Sequence, residues 1–364
     1  MKITLIIHGL SSGGAERVMS VLANYWAAKG WQINILTFVD EAPFYRLDSK
    51  INYIPLGIAK NSTNLATAII NNWQSIQKLR RAITKSDPNL VISFMTNVNV
   101  TTLLATRGLN IPVVISERND PNKLPASKVW ISLRSLTYGL ASAIVVQTNR
   151  AFNYFRPQLQ SKMAIIANPV IIQTEPSSYN PESSNQLSIV AMGRLEHQKG
   201  FDLLLEAFAH LKDDYPEWTL SILGEGTLRE ELESQRSRLK LGDRVYFPGR
   251  VENPAQLLKQ ADIFVMSSRF EGFPNALCEA MACGLPVIST DCPNGPREII
   301  RDQVDGILVA NESITELKEA IENLIINQHT RQNLGKKALE ITDRFGLETV
   351  IDRWEKVISE LVTK

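Results

Sequence analysis

The most informative segment of the sequence is Ile263-Phe-Val-Met-Ser-Ser-Arg-Phe-Glu-Gly-Phe-Pro-Asn-Ala-Leu-Cys-Glu279. Its apolar beginning is typical of a buried strand. Pro274 suits the first position of a helix, because the N–H group that proline lacks has no partner there anyway. The stretch therefore predicts a strand, a turn that carries Glu271, and a short helix that carries Glu279.

Both glutamates of this stretch can face a ligand at the N-terminus of the helix. Free N–H groups and the helix dipole favour a phosphate at that position. The arrangement suits a molecule with a sugar at one end, phosphates in the middle and a ribose beyond. The alternative is that Glu271 and Glu279 are ordinary surface charges, because an isolated motif match has little specificity.

The length and composition predict two globular domains. A chain of 364 residues exceeds one typical domain, and an apolar fraction of 44% supplies enough side chains for two cores. The net charge of +1 is not that of a typical nucleic-acid-binding protein, which carries a strong basic excess. We therefore expect no nucleic-acid partner.

The three cysteines, Cys278, Cys283 and Cys292, cluster near the glutamates without a histidine among them. Their spacing matches no zinc pattern, so we expect small buried hydrophobic residues in a reducing compartment. No apolar stretch approaches the roughly 20 residues that span a bilayer. We expect a cytoplasmic protein that is at most peripheral to a membrane.

Short apolar runs alternate with longer amphipathic stretches, which is typical of parallel α/β units. In the first half we expect strands at Ile3–Ile7, Ile33–Phe38, Leu90–Phe94, Val113–Ser116 and Ile144–Val146, and helices at Glu16–Lys29 and Ile70–Thr84. In the second half we expect strands at Leu187–Met192, Thr219–Leu223, Val245–Phe247, Ile263–Met266, Val287–Ser289 and Ile307–Val309. The helices of that half are expected at Gly200–Leu211, Leu228–Leu239, Pro254–Ala261 and Ile314–Ile326, followed by a helical tail from His329 to Leu361.

A segment at 173–186 is rich in Ser, Pro, Asn and Glu and predicts a linker. The predicted domains are therefore 1–172 and 187–345, with a final helix at 346–364. Both domains are predicted to be doubly wound α/β folds. Ligands bind beyond the carboxyl ends of the strands in such sheets, so we expect a site in a cleft between the domains.

In each predicted domain, the loop after the first strand is a candidate for phosphate binding. Gly13 and Gly14 let the backbone approach a phosphate at the start of a helix, although a tight turn would also need glycine. Arg194 and Lys199 follow the first strand of the second domain, where two cations can hold a diphosphate. Alternatively, these two side chains are solvated surface charges.

Three further loops follow predicted strands. Gly224 opens a helix and has either an anion-binding or a simple turn role. The backbone of Arg250 and Val251 is placed to pair with the edge of a nucleobase. The polar run that contains Glu117, Arg118 and Asn119 has two interpretations, which are binding of an acceptor or sugar and formation of a turn.

A predicted helix from Ser132 to Leu140 mixes basic and aromatic residues, namely Arg134 and Tyr138 with the nearby Trp130 and the upstream Lys123 and Lys128. Such a helix can rest on an anionic membrane face. An ordinary amphipathic helix with one solvated face is the alternative that we favour.

Together these motifs resemble the family-4 glycosyltransferases, which have the GT-B architecture of two Rossmann-like domains facing a central cleft. The resemblance covers essentially the whole chain. Its most specific parts are Arg194 with Lys199, Glu271-x7-Glu279, and Asn294-Gly-Pro-Arg-Glu298, supported by Gly13-Gly14. The segment Ser116-Glu-Arg-Asn-Asp-Pro121 is similar to members that build bacterial polysaccharides or lipid-linked oligosaccharides.

The resemblance implies a retaining transferase that needs no metal and takes a nucleotide sugar, with UDP favoured and GDP-mannose next. It implies that Glu271 contacts the donor sugar, Glu279 the ribose, and Arg194 and Lys199 the diphosphate. It also gives Gly13 and Gly14 phosphate contacts from the first domain. The remaining implied donor-binding residues are Gly224, Arg250, Val251, Gly272, Phe273, Pro274, Asn275, Ala276 and Leu277.

The resemblance implies a saccharide or lipid-linked acceptor for the first domain, and peripheral contact with the inner membrane face. There is one departure, because many members carry a histidine where this chain has Glu117 or Arg118. Two alternatives of other classes remain, which are a nucleotide-sugar epimerase and a non-catalytic subunit that binds a nucleotide sugar.

Overall fold

The computed structural model describes residues 1–59, 65–118, 128–171, 187–251 and 253–362. The chain forms two compact units, one of Met1–Asn168 with Val350–Lys364 and one of Pro169–Thr349. The sequence had suggested borders at 172 and 345. The predicted linker at 173–186 and the candidate Asn119 lie outside the described residues.

The first unit is a doubly wound parallel α/β fold. Its elements are β1 (Lys2–Ile7), α1 (Gly14–Ala28), β2 (Gln32–Thr37), β3 (Asn52–Pro55), α2 (Leu65–Ser86), β4 (Leu90–Phe94), α3 (Thr96–Thr106), β5 (Val113–Ser116), α4 (Lys128–Thr137), β6 (Ala143–Val146), α5 (Asn149–Tyr154), α6 (Pro157–Gln160) and β7 (Met163–Ile165). The sheet has the order β3-β2-β1-β4-β5-β6-β7, and the paired strands are parallel. The strand order reverses between β1 and β4.

The second unit repeats this architecture. Its elements are β8 (Leu187–Met192), α7 (Phe201–Ala209), β9 (Trp218–Leu223), α8 (Arg229–Arg238), β10 (Val245–Gly249), α9 (Pro254–Gln260), β11 (Ile263–Met266), α10 (Asn275–Ala282), β12 (Val287–Thr290), α11 (Pro296–Ile299), β13 (Ile307–Val309), α12 (Ile314–Ile326), α13 (Gln328–Ala338) and α14 (Ile341–Phe345). The parallel sheet has the order β10-β9-β8-β11-β12-β13. Its order reverses between β8 and β11.

The structure confirms all the strands that the sequence predicted, to within about two residues at each end. It adds β3 and β7, which are the two edge strands of the first sheet, and α3 between β4 and β5. One detail was wrong, because Pro274 is the N-cap of α10 and not its first helical residue. The backbone of Pro274 is extended, with φ −77° and ψ 97°, so the helix begins at Asn275.

The final helix, α15 (Leu347–Val362), belongs largely to the first unit. Its buried residues, Val350, Ile351, Trp354 and Ile358, lie on one face at helical spacing. The Trp354 ring is fully buried, 6.0 Å from the ring of Phe94 and 6.5 Å from that of Trp26. Within the described ranges, no helix has the length and apolar character needed to cross a bilayer.

The packing of Trp354 predicts a large contribution of α15 to the stability of the first unit. We expect Trp354→Ala to lower the free energy of unfolding of this unit by about 3–5 kcal/mol, as for other large-to-small changes of buried aromatic residues. Urea unfolding followed by circular dichroism measures the loss. The matched control is Trp73→Ala, because the Trp73 side chain is 62% exposed. Equal effects of the two substitutions would contradict this role of Trp354.

Candidate functional site

The carboxyl ends of β8 and β11 are neighbours at the point where the second sheet reverses its strand order. Doubly wound sheets bind their ligands in the crevice outside such a switch point. The loop after β8 carries Arg194 and Lys199, and the loop after β11 carries Glu271. Two of the predicted motifs therefore meet at the place where this fold is expected to bind a ligand.

Glycines allow the loops at this edge to approach each other backbone to backbone. A Cβ atom at Gly200 would lie 2.1 Å from the carbonyl oxygen of Ser267, and a Cβ at Gly224 would lie 1.9 Å from that of Gly193. Gly200 and Gly224 also have positive φ angles, of 62° and 141°. A side chain at either position would push apart the loops that carry the candidate residues.

Lys199 and Glu271 form a direct ion pair across the switch point. Nζ of Lys199 donates a hydrogen bond to Oε1 of Glu271 at 2.6 Å, and their side chains are only 15% and 6% exposed. Oγ of Ser268 donates to the same carboxylate oxygen at 2.6 Å. Two donors on one oxygen fix the carboxylate in place, so neither Lys199 nor Glu271 is a freely solvated surface charge.

Arg269, the residue after Ser268, joins the same two loops by further hydrogen bonds. Its guanidinium donates to both carboxylate oxygens of Asp202, at 2.8 and 2.6 Å, and to the carbonyl oxygen of His197 at 2.9 Å. The backbone N–H of Arg269 donates to the carbonyl of Gln198 at 2.8 Å. Burial raises the pKa of Asp202, but the Arg269 hydrogen bonds and charge outweigh it and lower the pKa overall. The carboxylate thus stays ionised and the loops stay joined.

The N-terminus of α10 opens at the same edge. The helix begins at Asn275, and no side chain of the described residues caps it. The N–H groups of the first turn of a helix have no partner within that helix, so Asn275, Ala276 and Leu277 present backbone donors where an anion can bind. This geometry agrees with the predicted place of the turn with Glu271 and of the helix with Glu279.

The loop after β12 packs against the beginning of α10. A Cβ atom at Gly295 would lie 2.5 Å from Cδ of Pro274, and the N–H of Glu271 donates to the carbonyl of Pro293 at 3.3 Å. Asn294 between them has a φ of 65° and is 7% exposed. Neither polar atom of its side-chain amide has a hydrogen-bond partner within the described ranges.

The other predicted donor-binding residues of this unit lie at the same edge, because all six strands of the sheet run parallel. The exposed Arg194 follows β8, Gly224 follows β9, and Arg250 and Val251 follow β10. Gly272, Phe273 and Pro274 form the turn before α10, and Glu279 is half-buried within that helix. The structure therefore places these residues along one edge of the sheet, without direct contacts that would join all of them.

In the first unit, Gly13 and Gly14 start α1 directly after the loop that follows β1. Gly13 is the N-cap and Gly14 the first helical residue, so the helix begins two residues before its predicted start at Glu16. A Cβ atom at Gly13 would lie 2.1 Å from Oε2 of Glu16. The Glu16 carboxylate therefore lies over the start of the helix in this structure.

Glu117, just beyond β5, is held by a buried hydrogen-bond network and is 2% exposed. Its Oε1 accepts hydrogen bonds from the Tyr138 hydroxyl and, at 3.2 Å, from Nδ2 of Asn99, and its Oε2 accepts one from Thr96 at 3.0 Å. Burial raises the pKa of Glu117. The hydrogen bonds and the positive charge of Arg134 act to lower this pKa but do not cancel the effect of burial. Tyr138 is fully buried and is therefore a core residue, which rules it out of the membrane-facing surface that was the less favoured of the two interpretations.

Arg118, the next residue, is 6% exposed and does not share the hydrogen-bond network of Glu117 within the described residues. Its guanidinium lies 4.0 Å from the centre of the Phe94 ring, and Nη1 donates to Oδ1 of Asn168 at 2.8 Å. Nε and Nη2 have no hydrogen-bond partner among the residues that the structure describes. Burial lowers the pKa of Arg118 to about 9, so the group remains mostly protonated at neutral pH.

The cysteines are free; Cys278 and Cys292 are buried as expected, whereas Cys283 is only half-buried. Burial, followed by the negative charge of Glu271, raises the pKa of Cys292 to about 12. Its thiol therefore stays protonated beside the ion pair and is a poor nucleophile.

Sequence reasoning missed Ser268 and Asn294 as members of the site. Ser268 had a usable signal, because it follows a buried strand and lies three residues before Glu271 in the stretch that the sequence singled out. Asn294 was noticed only as part of a motif. Its burial without partners depends on the packing of two loops, which the spacing of residues does not reveal.

Comparisons with known proteins identify the family of the chain. The profile of "Glycosyltransferase Family 4" matches residues 12–174, and that of "Glycosyl transferases group 1" matches 174–340. A GalNAc-α-(1→4)-GalNAc-α-(1→3)-diNAcBac-PP-undecaprenol α-1,4-N-acetyl-D-galactosaminyltransferase of Campylobacter jejuni is 30% identical over 362 residues, which is 99% of each chain. The chain belongs to this family of glycosyltransferases.

Solved structures give this glycosyltransferase the GT-B fold. HepE of Anabaena, solved with UDP, superimposes with a TM-score of 0.80 at 20% identity over 99% of this chain and 100% of that one. Sucrose-phosphate synthase of Thermosynechococcus elongatus gives a TM-score of 0.83 at 18% identity over 100% and 99% of the two chains. The predicted fold and the predicted class of enzyme are confirmed.

The close approach of the loops in this glycosyltransferase predicts a strict need for glycine at position 224. We expect Gly224→Ala to destabilise the second unit by about 1–3 kcal/mol, because the new methyl group would overlap the Gly193 carbonyl. Gly242→Ala is the matched control, because a Cβ at Gly242 has no atom within 4 Å among the described residues. Thermal unfolding of both variants measures the difference, and a Gly224→Ala variant as stable as Gly242→Ala would refute the packing argument.

Proposed function

We propose that this glycosyltransferase moves a hexose or N-acetylhexosamine from a UDP-sugar to a lipid-linked saccharide, with retention at the anomeric carbon. The observation that carries the proposal is the contact between Lys199 and Glu271 at the switch point of the second sheet. A cation and a carboxylate held side by side can bind the two parts of a sugar diphosphate. The cation binds the anionic phosphates, and the carboxylate accepts hydrogen bonds from the neutral hydroxyls of the sugar.

In this proposal the donor lies along the carboxyl edge of the second unit. Arg194 and Lys199 bind the diphosphate together with the backbone N–H groups of Asn275, Ala276 and Leu277. Glu279 accepts hydrogen bonds from the ribose, and the backbone of Arg250 and Val251 pairs with the base. The Anabaena relative of the same fold was solved with UDP and with UDP-glucose, which supports the choice of nucleotide.

Lys199 can bind the diphosphate without leaving Glu271. An ammonium group has three N–H donors, and one of them is used by Oε1 of Glu271. The other two remain for phosphate oxygens. As the bond between the anomeric carbon and the phosphate oxygen breaks, these donors stabilise the negative charge that develops on the diphosphate.

The acceptor hydroxyl then attacks the anomeric carbon from the face that the diphosphate leaves. A new carbon–oxygen bond forms, the carbon–phosphate oxygen bond breaks, and the hydroxyl proton passes to the departing phosphate. This route gives retention without a covalent intermediate on the protein. The cations Arg194 and Lys199 take the role of neutralising the leaving group, so we propose that no metal ion is needed.

The proposed acceptor follows from the Campylobacter relative, whose name specifies an undecaprenyl diphosphate saccharide. We assign the acceptor to the first unit, and we place Arg118 rather than Glu117 on the acceptor side. The contacts of Glu117 are internal, whereas Nε and Nη2 of Arg118 have no partner within the described part of the chain. Exposed apolar residues of α4, Val129 and Leu136, suit contact with the membrane that holds such an acceptor.

The proposal is tested by following UDP release with purified protein, a UDP-sugar and a lipid-linked saccharide. We expect UDP-sugars to raise the melting temperature more than GDP-sugars do, because at equal concentration the more tightly bound ligand stabilises the folded state more. A ligand at 100 times its Kd stabilises the folded state by about 2.7 kcal/mol. Release of UDP should require the acceptor. Conversion of the UDP-sugar without acceptor would favour an epimerase, and binding without any turnover would favour a non-catalytic subunit.

We expect Lys199→Ala to reduce turnover by about 100- to 1,000-fold, which is the loss typical of a removed group that stabilises transition-state charge. The substitution leaves the buried Glu271 carboxylate without its cation, so we expect a lower melting temperature as well, and turnover is compared at a temperature where circular dichroism shows that both proteins are folded. Lys336→Ala is the control, because Lys336 is an exposed lysine of the same unit. Near-normal transfer by Lys199→Ala would refute the proposed role.

The two glutamates are expected to differ in their kinetic effects. Glu271→Gln should mainly lower kcat, because Glu271 faces the sugar at the reacting end, and Glu279→Gln should mainly raise the KM for the donor. Steady-state kinetics with varied donor concentration separates the two parameters. Equal changes of kcat and KM in both variants would contradict this division of roles.

A further inference from the structure

Ser268 contacts the same carboxylate oxygen of Glu271 as Lys199 does. Its side chain is 1% exposed, and its hydroxyl donates to Oε1 of Glu271 at 2.6 Å. A serine hydroxyl has a single proton to donate. That proton is therefore committed to the Glu271 carboxylate.

The position of Ser268 is itself fixed by the neighbouring strand. Oγ1 of Thr290, at the end of β12, donates to the carbonyl oxygen of Ser268 at 2.5 Å, and Thr290 is 1% exposed. On the other side, Oγ of Ser267 donates to the carbonyl of Lys199 at 3.0 Å. Ser268 thus presents its hydroxyl to Glu271 from a rigid support that does not include the Lys199 side chain.

The two oxygens of the Glu271 carboxylate are used differently. Within the described ranges, the hydrogen bonds from Lys199 and from Ser268 both end on Oε1. An ionised carboxylate accepts hydrogen bonds at both oxygens. Oε2 is therefore the oxygen that is left to accept a hydrogen bond from a bound molecule.

The two donors on Oε1 differ in stiffness. Lys199 carries its charge on a flexible four-carbon chain, and a diphosphate attracts the ammonium group strongly. Ser268 has one rotatable side-chain bond and no charge, so a bound phosphate exerts no comparable pull on it. If only Lys199 held the carboxylate, any movement of the ammonium toward the phosphates would release Glu271 at the moment when the sugar must be oriented.

We propose that Ser268 is a positioning residue that holds Oε1 of Glu271 while Lys199 engages the diphosphate, so that Oε2 stays directed at a hydroxyl of the donor sugar. The inference rests on the proposed function for the identity of the ligand. It adds a residue that acts through Glu271 and therefore affects how the sugar part of the donor is bound, rather than its nucleotide part.

The experiment is a double-substitution cycle with Ser268→Ala and Glu271→Ala, alone and together. It measures kcat for transfer and, by calorimetry, the ratio of the affinities for UDP-sugar and for UDP. We expect Ser268→Ala to lower kcat by about 10- to 100-fold, because a small misplacement of a positioned group has effects of this size. The affinity for UDP should be unchanged, and the preference for UDP-sugar over UDP should fall.

In the Glu271→Ala background, we expect Ser268→Ala to have no further effect on either quantity, because the group it positions is gone. The control is Ser86→Ala, which removes another buried, hydrogen-bonded serine hydroxyl in the first unit. An equal effect of Ser268→Ala in both backgrounds, or a parallel loss of UDP affinity and melting temperature, would overturn the proposal.

The binding measurement separates this inference from the proposed function. If the protein transfers no sugar but Ser268→Ala still lowers the preference for UDP-sugar over UDP only when Glu271 is present, the proposed function fails and the positioning role stands. If transfer proceeds and Ser268→Ala behaves like Ser86→Ala, the proposed function stands and the positioning role fails.

Discussion

The buried ion pair between Lys199 and Glu271 is the interaction on which the candidate site depends. Removing an ammonium and a carboxylate from water has a large free-energy penalty, and apolar residues of similar volume often stabilise a fold as well or better. Stability alone therefore gives little reason to keep such a pair. Its place at the reversal of strand order, where α/β sheets bind ligands, gives a functional reason instead. Arg269 also supports the pair, because its hydrogen bonds join the two loops that carry Lys199 and Glu271.

The close contacts of Gly200 and Gly224 show how this geometry limits the sequence. Each glycine lies where a Cβ atom would overlap a backbone carbonyl group of a neighbouring loop, so the loops after β8, β9 and β11 approach one another backbone to backbone at these two points. This close approach sets the distance between the cation and the carboxylate. In the first unit, Gly13 stands at the equivalent place after β1, although there the close neighbour is the side chain of Glu16 and not a backbone carbonyl. The equivalent turns of the two units are therefore built for different contacts.

The sequence predicted the elements whose signal is local and left out those that depend on tertiary packing. Buried parallel strands appear as short apolar runs, and β4, β5, β8, β11 and β13 have the predicted bounds. The edge strand β3 has four residues, is partly exposed and ends in a proline, so it lacks that signal. The helix α3 is rich in Val and Thr, which disfavour helices locally, and it forms because most of its residues are buried. In the site, spacing identified Lys199 and Glu271, but only the fold places side chains 72 residues apart in contact.

The adjacent residues Glu117 and Arg118 show the same limit at a finer scale. The sequence offered binding or a turn as the role of both residues, and it could not separate them because they are consecutive and similarly polar. Folding places Glu117 among three hydrogen-bond donors, whereas Arg118 stacks on Phe94 with two N–H groups unpartnered in the described part of the chain. Nε–H and Nη2–H point in the same direction and form the edge of a guanidinium that binds carboxylates and phosphates in pairs. A buried cation with this edge unpaired gains more from an anionic ligand than a buried carboxylate that is already satisfied, and this difference is the reason for proposing Arg118 rather than Glu117 on the acceptor side.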